Sequence, residues 1–322
     1  MISIIFSLIL LNFVYGDTCV TYTTTIVKSI ETSYYVVNSI PARDTFNNSP
    51  VVSCKNYFDT INEFSCLNTT IIPESELCCF ETRGILMLTQ FWDYNPDYLS
   101  IAVNGTKGQR ESIETNSSII NNGDAAFTIH GLWNDLCNGS YESYCNPSLQ
   151  ISDSKDNITH VLVDLYQEIE LYNYMTKHWI NNEKSNVQDQ NSVILWEHEY
   201  NKHGTCMNTL LPQCFVNYTK FENVVQFYKK VVELHQNLPT EKFLSDAGIV
   251  PSVVKKYKLT DVEAALSKVH GGKKVYIGCL QGAIDEIWYY HNLKGNVITG
   301  DYKPTDMLGK QGCPDTVWYI PK

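Results

Sequence analysis

Eleven cysteines constrain this chain more than any other feature of its sequence. They are spread along its length, at positions 19, 54, 66, 78, 79, 137, 145, 206, 214, 279 and 313. Cysteines scattered in this way through an exported protein indicate disulfides and not thiol chemistry. Because the count of eleven is odd, one cysteine must stay free or pair with another chain. A disulfide-bonded fold is therefore expected if the chain is exported.

The first sixteen residues predict export. An apolar run from Ile2 to Leu11 precedes Val14-Tyr15-Gly16, which resembles a small-residue cleavage site. The run is too short to cross a bilayer, so we expect residues 1–16 to be a signal peptide. No later segment is long and apolar enough to span a membrane, and we expect a soluble, secreted mature protein without a membrane segment.

Seven Asn-x-Ser/Thr sequons agree with export. In an exported protein such asparagines are glycan acceptors on surface loops. The candidate glycosylation sites are Asn47, Asn68, Asn104, Asn116, Asn138, Asn157 and Asn217.

The net charge argues against one class of function. The formal charge is −11 at pH 7, whereas duplex-binding proteins carry clustered Lys and Arg on a basic surface. A high-affinity nucleic-acid binder is disfavoured. An enzyme that holds a nucleic acid briefly through a few local contacts remains compatible with this charge.

The chain divides into an N-terminal extension and one domain. Residues 17–53 are rich in Thr and Ser and form an extension of unknown role, and residues 54–322 are expected to form a single disulfide-bonded domain. Buried strands are predicted over 84–92 and 125–130, with a long polar loop over 95–123 between them.

Helix signals and further strands occupy the rest of the domain. Apolar spacing predicts a helix over 157–179. Capping boxes beginning at Thr219 and Thr260 predict a helix to about His235 and a shorter one ending at Gly271-Gly272. Strands are predicted over 274–280, 283–291 and 317–320. Because strands and helices do not alternate strictly, we expect an α+β fold with a mainly antiparallel sheet packed with helices.

The segment Trp196 to Cys206, W-E-H-E-Y-N-K-H-G-T-C, concentrates reactive side chains. It could be a zinc site, an acid–base cluster or a solvated helix face. On a helix that advances about 100° per residue, one face carries His198, Glu199, Lys202 and His203.

The spacing of the two histidines disfavours zinc. Zinc-binding H-E-x-x-H places its histidines four residues apart, whereas His198 and His203 are five apart and diverge by about 140°. The flanking Leu195, Trp196 and Cys206 are typical of a buried environment, which weakens the solvated-face alternative.

Together with a second segment, this motif resembles a known family. F-T-I-H-G-L-W, residues 127–133, is similar to the first active-site segment of the T2 ribonuclease family, and H-E-Y-N-K-H-G-T-C, residues 198–206, is similar to the second. The two occur in the family's order and at roughly its spacing. The resemblance covers about Cys54 to Cys313.

The resemblance implies a metal-independent endoribonuclease that needs no cofactor. Such enzymes cleave single-stranded RNA by attack of the ribose 2′-hydroxyl on phosphorus, through a 2′,3′-cyclic phosphate, and leave DNA uncut. His203 matches the base and His130 the acid, although the assignment between them stays open. Imidazole suits both tasks because its pKa lies near working pH. Glu199 and Lys202 match groups that stabilise phosphoryl charge, and His198 matches a phosphate-contacting histidine.

Substrate contacts are implied in the same way. A base is expected to stack on Trp133 and Tyr141, and Asp135 is expected to accept a hydrogen bond from an exocyclic amine. Gln90 is a further expected substrate-binding residue. Core packing is the alternative for Trp133. The sequence departs from the family pattern at Asn134 (usually Pro), Tyr200 (often Trp) and Leu195 (an aromatic residue in some members), which affects the expected base preference more than activity.

The resemblance also implies a disulfide pattern and a compartment. The expected pairs are Cys54–Cys79, Cys66–Cys137, Cys78–Cys214, Cys145–Cys206 and Cys279–Cys313. Cys19 is left over, and a disulfide dimer through it is one possibility. The protein is expected outside the cell or in an acidic endomembrane compartment.

A non-catalytic alternative remains. The extension, the acidic charge and the sequons also suit a secreted interaction protein built on a ribonuclease scaffold. The presence of His130, Glu199, Lys202 and His203 favours the enzyme, because loss of catalysis usually removes one such residue.

Overall fold

The computed structural model describes residues 51–52, 54, 63–67, 72–116, 125–181 and 188–322. All of them belong to one compact unit, Val36–Lys322. The predicted signal peptide, nearly all of the predicted extension, Cys19 and the sequons at Asn47 and Asn68 lie outside the described residues.

A sheet of seven strands crosses the described part of the chain. The strands are β1 (Ile85–Phe91), β2 (Thr128–Asp135), β3 (Lys256–Lys258), β4 (Tyr276–Leu280), β5 (Ala283–Lys294), β6 (Asp301–Pro304) and β7 (Thr316–Trp318). Their order is β2-β1-β5-β7-β3, and β4 and β6 also pair with β5. Every pairing is antiparallel except the short parallel contact between β5 and β7. The predicted α+β fold with a mainly antiparallel sheet is confirmed.

Helices pack against this sheet. They are α1 (Pro96–Asn104), α2 (Lys107–Glu114), α3 (Ile169–His178), α4 (Gln188–Lys202), α5 (Glu222–Asn237), α6 (Thr240–Asp246) and α7 (Leu259–Val269), with short helical turns between them. α5 shows why they pack: Phe227, Tyr228 and Val231 recur at helical spacing and are fully buried in the main core. Burying each such side chain contributes about 1.5–3 kcal/mol.

The predicted loop over 95–123 is wrong. It contains α1 and α2, whose starts are capped by side chains: Asn95 accepts a hydrogen bond from the backbone N–H of Asp97, and Thr106 and Gln109 form a capping box. α1 buries Leu99 and Ala102 in a small cluster beside β7. The segment is polar because only this narrow stripe is buried, so hydrophobic periodicity did not reveal it.

The predicted helix over 157–179 is broken. A short helical turn, Ile158–His160, leads into a wider turn, Val161–Leu165, and α3 starts only at Ile169. Between them Gln167 has φ +54°, in the left-handed region that a continuous right-handed helix excludes.

The two predicted capping boxes also need correction. Glu222 accepts hydrogen bonds from Thr219, but α5 begins at Glu222 itself. Thr260 lies inside the first turn of α7, which starts at Leu259 without a side-chain cap. The predicted end of α7 before Gly271-Gly272 is confirmed, because both glycines have positive φ.

The strands follow the predictions with shifted ends. β2 runs to Asp135, five residues beyond its predicted end, and β5 runs to Lys294. β3 and β6 were not predicted. Both are short and contain exposed lysines, so neither has a long apolar run.

All five predicted disulfides are present. Cys54–Cys79, Cys66–Cys137, Cys78–Cys214, Cys145–Cys206 and Cys279–Cys313 have Cα–Cα distances of 4.9–5.4 Å. Packing contacts reach slightly before the predicted domain start, because Val51 pairs with Phe215 and is buried.

The surface of the described residues bears on two further expectations. The five described sequon asparagines, Asn104, Asn116, Asn138, Asn157 and Asn217, are all exposed, so each is accessible to a glycan. No helix in the described ranges is both long enough and apolar enough to cross a bilayer.

Candidate active site

His130 is placed by an irregularity in β2. Thr89 of β1 pairs with Gly131 and Gln90 pairs with Ile129, so His130 has no partner on β1. This is a β-bulge, which twists the strand and re-aims the side chain at the extra residue. The imidazole stacks on Phe91, with ring centroids 4.0 Å apart and an interplanar angle of 19°. Its side chain is 19% exposed.

Helix α4 carries the second motif. Trp196 and Tyr200 are completely buried and anchor the helix in the core, whereas His198 is exposed. The helix ends at Lys202, and a tight turn, Gly204–Cys206, follows. The predicted helical projection therefore applies to His198, Glu199 and Lys202. His203 lies just past the helix end, although its N–H still donates to the Glu199 carbonyl (3.1 Å).

Gly131 explains how the two motifs come together. A Cβ at this position would lie 1.8 Å from Glu199 Oε2. Only glycine allows the carboxyl to reach the strand. There, Glu199 Oε2 accepts a hydrogen bond from Trp133 Nε1 (2.8 Å), and Oε1 lies 3.6 Å from His130 Nε2.

Trp133 also contacts the second candidate catalytic imidazole. The indole stacks on His203 with centroids 5.1 Å apart and an interplanar angle of 17°. His203 is 3% exposed, and neither of its ring nitrogens has a hydrogen-bond partner among the described residues. Lys202 Nζ lies 5.9 Å from the centre of the indole. Both imidazoles, Glu199 and Lys202 thus surround one side chain.

Burial changes the acidity of these groups. It raises the pKa of Glu199 to about 8, against the lowering effects of the Trp133 hydrogen bond and Lys202. Burial first, then the charges of Lys202 and His198, lower the pKa of His130 to about 3 and that of His203 to about 2. In the free site near neutral pH, Glu199 therefore holds a proton and both imidazoles are neutral.

His198 lies at the edge of this cluster. Its Nδ1 is 3.3 Å from the hydroxyl of Tyr144, whose backbone N–H donates to the carbonyl of Lys202 (3.0 Å). Burial, followed by Lys202, lowers the pKa of His198. An exposed imidazole held beside the Lys202 ammonium suits contact with an anion.

A cavity of about 410 Å³ opens beside the cluster. Its walls include three predicted substrate residues, Trp133, Asp135 and Tyr141, and two predicted catalytic ones, Lys202 and His203. Asp135 and Tyr141 pair through an isolated backbone bridge. Burial raises the pKa of Asp135 to about 6, so its carboxyl can hold a proton at mildly acidic pH.

The other walls come from residues without a recognisable motif. Met87 of β1 and Trp288 and Tyr290 of β5 line the cavity with Gly139 and Leu308. Met87 is directly opposite Tyr290 in the sheet register. The pairing of β1 with β5 brings Trp288 and Tyr290 to the site, whereas the pairing of β1 with β2 places Met87 beside Trp133. Nothing in the local sequence indicated either pairing.

Gln90 does not fit its predicted role. Its side chain is fully buried, its Nε2 donates to the Leu238 carbonyl (2.9 Å), and its Oε1 accepts from the Thr240 hydroxyl (2.6 Å). Both ends of the amide are used inside the protein, so Gln90 connects β1 to the α5–α6 junction and does not face the cavity. The neighbouring Phe91, which was not predicted, contacts His130 instead.

Among the described residues, no group of three or more His, Cys, Asp or Glu side chains is arranged to hold a metal ion. His198 and His203 diverge, with the former exposed and the latter buried against Trp133.

Comparison with known proteins agrees with this site. A sequence model described as the Ribonuclease T2 family matches residues 83–303. Ribonuclease T2 of Aspergillus oryzae is 41% identical over 261 residues, covering 80% of this chain and 82% of that protein. Ribonuclease M of Aspergillus phoenicis is 38% identical over 265 residues, covering 82% and 98% respectively.

A solved structure supports the same relationship. The crystal structure of Actibind, a T2 ribonuclease, superposes with a TM-score of 0.66 at 36% identity, and the match covers 81% of this chain and 95% of that one. The region that the family model matches, residues 83–303, contains both predicted active-site segments. Four of the five disulfides have at least one cysteine within this region. The chain therefore belongs to the ribonuclease T2 family.

Proposed function

We propose that this protein is a secreted, metal-independent endoribonuclease that cleaves single-stranded RNA by transphosphorylation through a 2′,3′-cyclic phosphate. One observation carries the proposal: two imidazoles, Glu199 and Lys202 surround the indole of Trp133 at the wall of a cavity large enough for a nucleoside. RNA is the substrate that family membership implies.

The cavity supports His203 as the base. His203 lines the cavity, whereas His130 meets the indole of Trp133 edge-on and lies between Phe91 and Glu199. A nucleoside bound in the cavity presents its own 2′-hydroxyl to His203 and directs the leaving 5′-oxygen towards His130. The lowered pKa of His203 keeps its ring neutral, as a base requires.

The acid function belongs to His130 together with Glu199. Glu199 holds a proton below about pH 8, and its Oε1 lies 3.6 Å from His130 Nε2. A bound phosphodiester adds negative charge, which raises the pKa of a nearby imidazole. A proton shared by this pair can then pass to the leaving oxygen. Each such transfer contributes about 10²–10⁴-fold to the rate.

The cations have a separate task. Negative charge grows on the phosphoryl oxygens as the 2′-oxygen attacks, and a positioned cation stabilises it. Lys202, next to His203 at the cavity wall, supplies this charge, and the exposed His198 contacts the phosphate. We expect the highest activity at mildly acidic pH, where the substrate-bound imidazole acquires its proton.

The expected compartment follows from the disulfides and the family, which indicate the secretory pathway. We propose the extracellular space or an acidic endomembrane compartment as the place of action. The exposed sequons fit either location.

A defined oligoribonucleotide tests the proposal. Purified protein is incubated at pH 4–8 with this RNA and with a DNA of the same sequence, with and without EDTA, and the products are measured by mass spectrometry. A 2′,3′-cyclic phosphate from RNA, intact DNA and no effect of EDTA are expected. Intact RNA at every pH, or inhibition by EDTA, would contradict the proposal.

The variant His203→Phe tests the role of the proposed base in the same assay. The planar ring preserves the size of the side chain against Trp133 and removes both nitrogens. Activity should be lost while thermal unfolding stays similar to the wild type.

A further inference from the structure

His130 lies between two carboxyl groups, and the proposed mechanism uses only one of them. Its Nε2 is 3.6 Å from Glu199 Oε1, and its Nδ1 is 3.9 Å from Glu286 Oε1. Nδ1 is buried and has no hydrogen-bond partner among the described residues. The nearby Glu286 carboxyl is therefore placed to accept from the nitrogen that lacks a partner.

The surrounding sheet holds Glu286 in this position. On β5 it is directly opposite Phe91 of β1, the residue on which His130 stacks, and opposite Gly278 of β4. A Cβ at Gly278 would lie 3.2 Å from the Cβ of Glu286, closer than ordinary packing, so the glycine leaves room for this side chain.

One carboxyl oxygen of Glu286 is already engaged. Trp288 Nε1 donates to Glu286 Oε2 (2.8 Å), which leaves Oε1 for His130. The arrangement repeats on the other side of the imidazole, where Trp133 donates to Glu199 Oε2 and Oε1 approaches Nε2. The two indoles are in edge contact, with centroids 5.0 Å apart. Two tryptophan–glutamate pairs thus flank one histidine.

The charges around His130 come from two elements. Glu199, Lys202 and His198 face it from α4, His203 interacts with it from the residue just past α4, and Glu286 faces it from β5. Lys202 and His198 disfavour a protonated imidazole. A carboxylate at Nδ1 opposes them and selects the tautomer that carries its proton there, which leaves Nε2 to exchange a proton with Glu199 and the leaving oxygen.

We propose that Glu286 is a positioning residue that accepts a hydrogen bond from Nδ1–H of His130 in the substrate complex, fixes the ring's tautomer and stabilises its protonated form. Active-site hydrogen bonds are often long in the free enzyme and shorten when substrate binds, which accounts for the 3.9 Å distance. This inference rests on the proposed ribonuclease function and assigns a task to a residue outside both active-site segments.

Glu286→Gln is the main test. The amide keeps an oxygen for the Trp288 N–H and removes the charge at Nδ1. We expect kcat to fall by about 10–100-fold, less than the about 10²–10⁴-fold that a proton transfer contributes, with little change in KM. The limb of the kcat profile that reports His130 should move to lower pH. Glu286→Asp, which restores a charge, should recover part of kcat.

Asp285→Asn is the matched control. It removes a carboxyl from the adjacent residue of the same strand, one that has no contact with His130 among the described interactions. Burial raises the pKa of Glu286, and the charge of Asp285 raises it further, so the loss of Asp285 favours the ionised Glu286 carboxylate. Asp285→Asn should therefore neither lower kcat nor move the pH limb to lower pH, and thermal unfolding of each variant checks that the fold is retained.

A second measurement does not depend on activity. In protein labelled with ¹⁵N-histidine, the two ring nitrogens of His130 report its tautomer and its titration. The proton should sit on Nδ1 in the wild type and distribute between the nitrogens in Glu286→Gln. Unchanged kcat, pH limb and tautomer in Glu286→Gln would overturn the inference. Failure of the wild type to cleave RNA would instead contradict the proposed function, while the titration would still test the contact.

Discussion

The indole of Trp133 connects Glu199 to His203. Its Nε1 donates to Glu199 Oε2 at 2.8 Å, and its ring lies 5.1 Å from the imidazole, nearly parallel to it. A residue expected to stack a substrate base, with core packing as the alternative, therefore also holds two groups from the second motif in fixed relation. One ring face is occupied by His203, so a base that stacks on Trp133 must use the rest of the ring at the cavity wall.

Trp133→Phe separates the contact of this residue with His203 from its hydrogen bond to Glu199. The variant keeps a ring against His203 and loses the donor to Glu199. Since that hydrogen bond lowers the pKa of Glu199, its loss should raise this pKa further. Because Glu199 holds a proton near neutral pH, the lost hydrogen bond joins two neutral groups and is worth about 0.5–1.5 kcal/mol, which corresponds to a roughly 2–10-fold fall in kcat if it acts in the transition state. The kcat profile over pH 4–10 measures both effects. A wild-type profile in Trp133→Phe would show that the bond has no part in catalysis.

Gly131→Ala should disable the site without unfolding the protein. The added Cβ would lie 1.8 Å from Glu199 Oε2, so the carboxyl would have to move. A misplacement of about 1 Å can cost about 100-fold in rate, so we expect at least that loss in kcat/KM.

The control for Gly131→Ala is the same substitution at Gly108 in α2, where a Cβ would meet no atom within 4 Å. Gly108→Ala should keep full activity and stabilise the protein by about 0.5–1 kcal/mol, because alanine is the better helix former. Equal activity of the two variants would contradict the role assigned to Gly131.

The Cys145–Cys206 disulfide should support activity as well as stability. It joins the segment that carries Tyr144 to the turn after His203. Replacing both cysteines by alanine opens a loop with a sequence separation of 61 and should lower the free energy of unfolding by about 4 kcal/mol. It should also lower kcat at temperatures where the variant is folded.

The Cys54–Cys79 disulfide provides the comparison. Its sequence separation is 25, so its loss should cost a similar free energy, about 3.5 kcal/mol. Its cysteines pack with Phe80 in a separate cluster. The variant without it should retain its kcat. If the two double variants lose kcat equally, the Cys145–Cys206 disulfide has no specific effect on the site.

His270 should make the fold sensitive to acid. It is 1% exposed, its Nε2 is 2.9 Å from the Tyr290 carbonyl, and its ring meets that of His291 at a right angle. Burial lowers its pKa from 6.5 to about 4. As pH falls, His270 therefore takes up its proton in the unfolded chain at a higher pH than in the folded protein. The contribution of the neutral, buried imidazole to the free energy of unfolding is complete above pH 6.5 and is lost towards pH 4.

The measurement is urea unfolding at pH 7 and pH 4.5. The titration of His270 alone should lower the free energy of unfolding by about 2–3 kcal/mol from pH 7 to pH 4.5. In His270→Gln this loss should shrink by that amount. The same pH dependence in variant and wild type would show that His270 is not the group that titrates.

Local sequence patterns predicted the parts of this fold that depend on neighbouring residues. Strand β1 and the end of α7 were found because an apolar run and a glycine pair act locally. The helices α1 and α2 were missed because α1 buries only Leu99 and Ala102, against distant residues such as Trp318, and α2 buries no residue. The break in the predicted helix over 157–179 was missed for the opposite reason, since the apolar spacing continues past Gln167.

The sequence by itself determined that the chain resembles the T2 ribonucleases and which histidines and carboxylate to examine, because these features are carried by two short motifs. The disulfide pairs were expected from that resemblance and not from the cysteine positions alone. Only the tertiary structure decided that Gln90 is an internal connector, that β5 supplies Trp288, Tyr290 and Glu286 to the site, and that His130 lies on a bulge between two carboxyls. The reason is physical. Strand register and burial set these contacts, and both depend on residues far apart in the chain, from 42 positions for Thr89 and Gly131 at the bulge to 207 for Ile85 and Asn292 in the β1–β5 pairing.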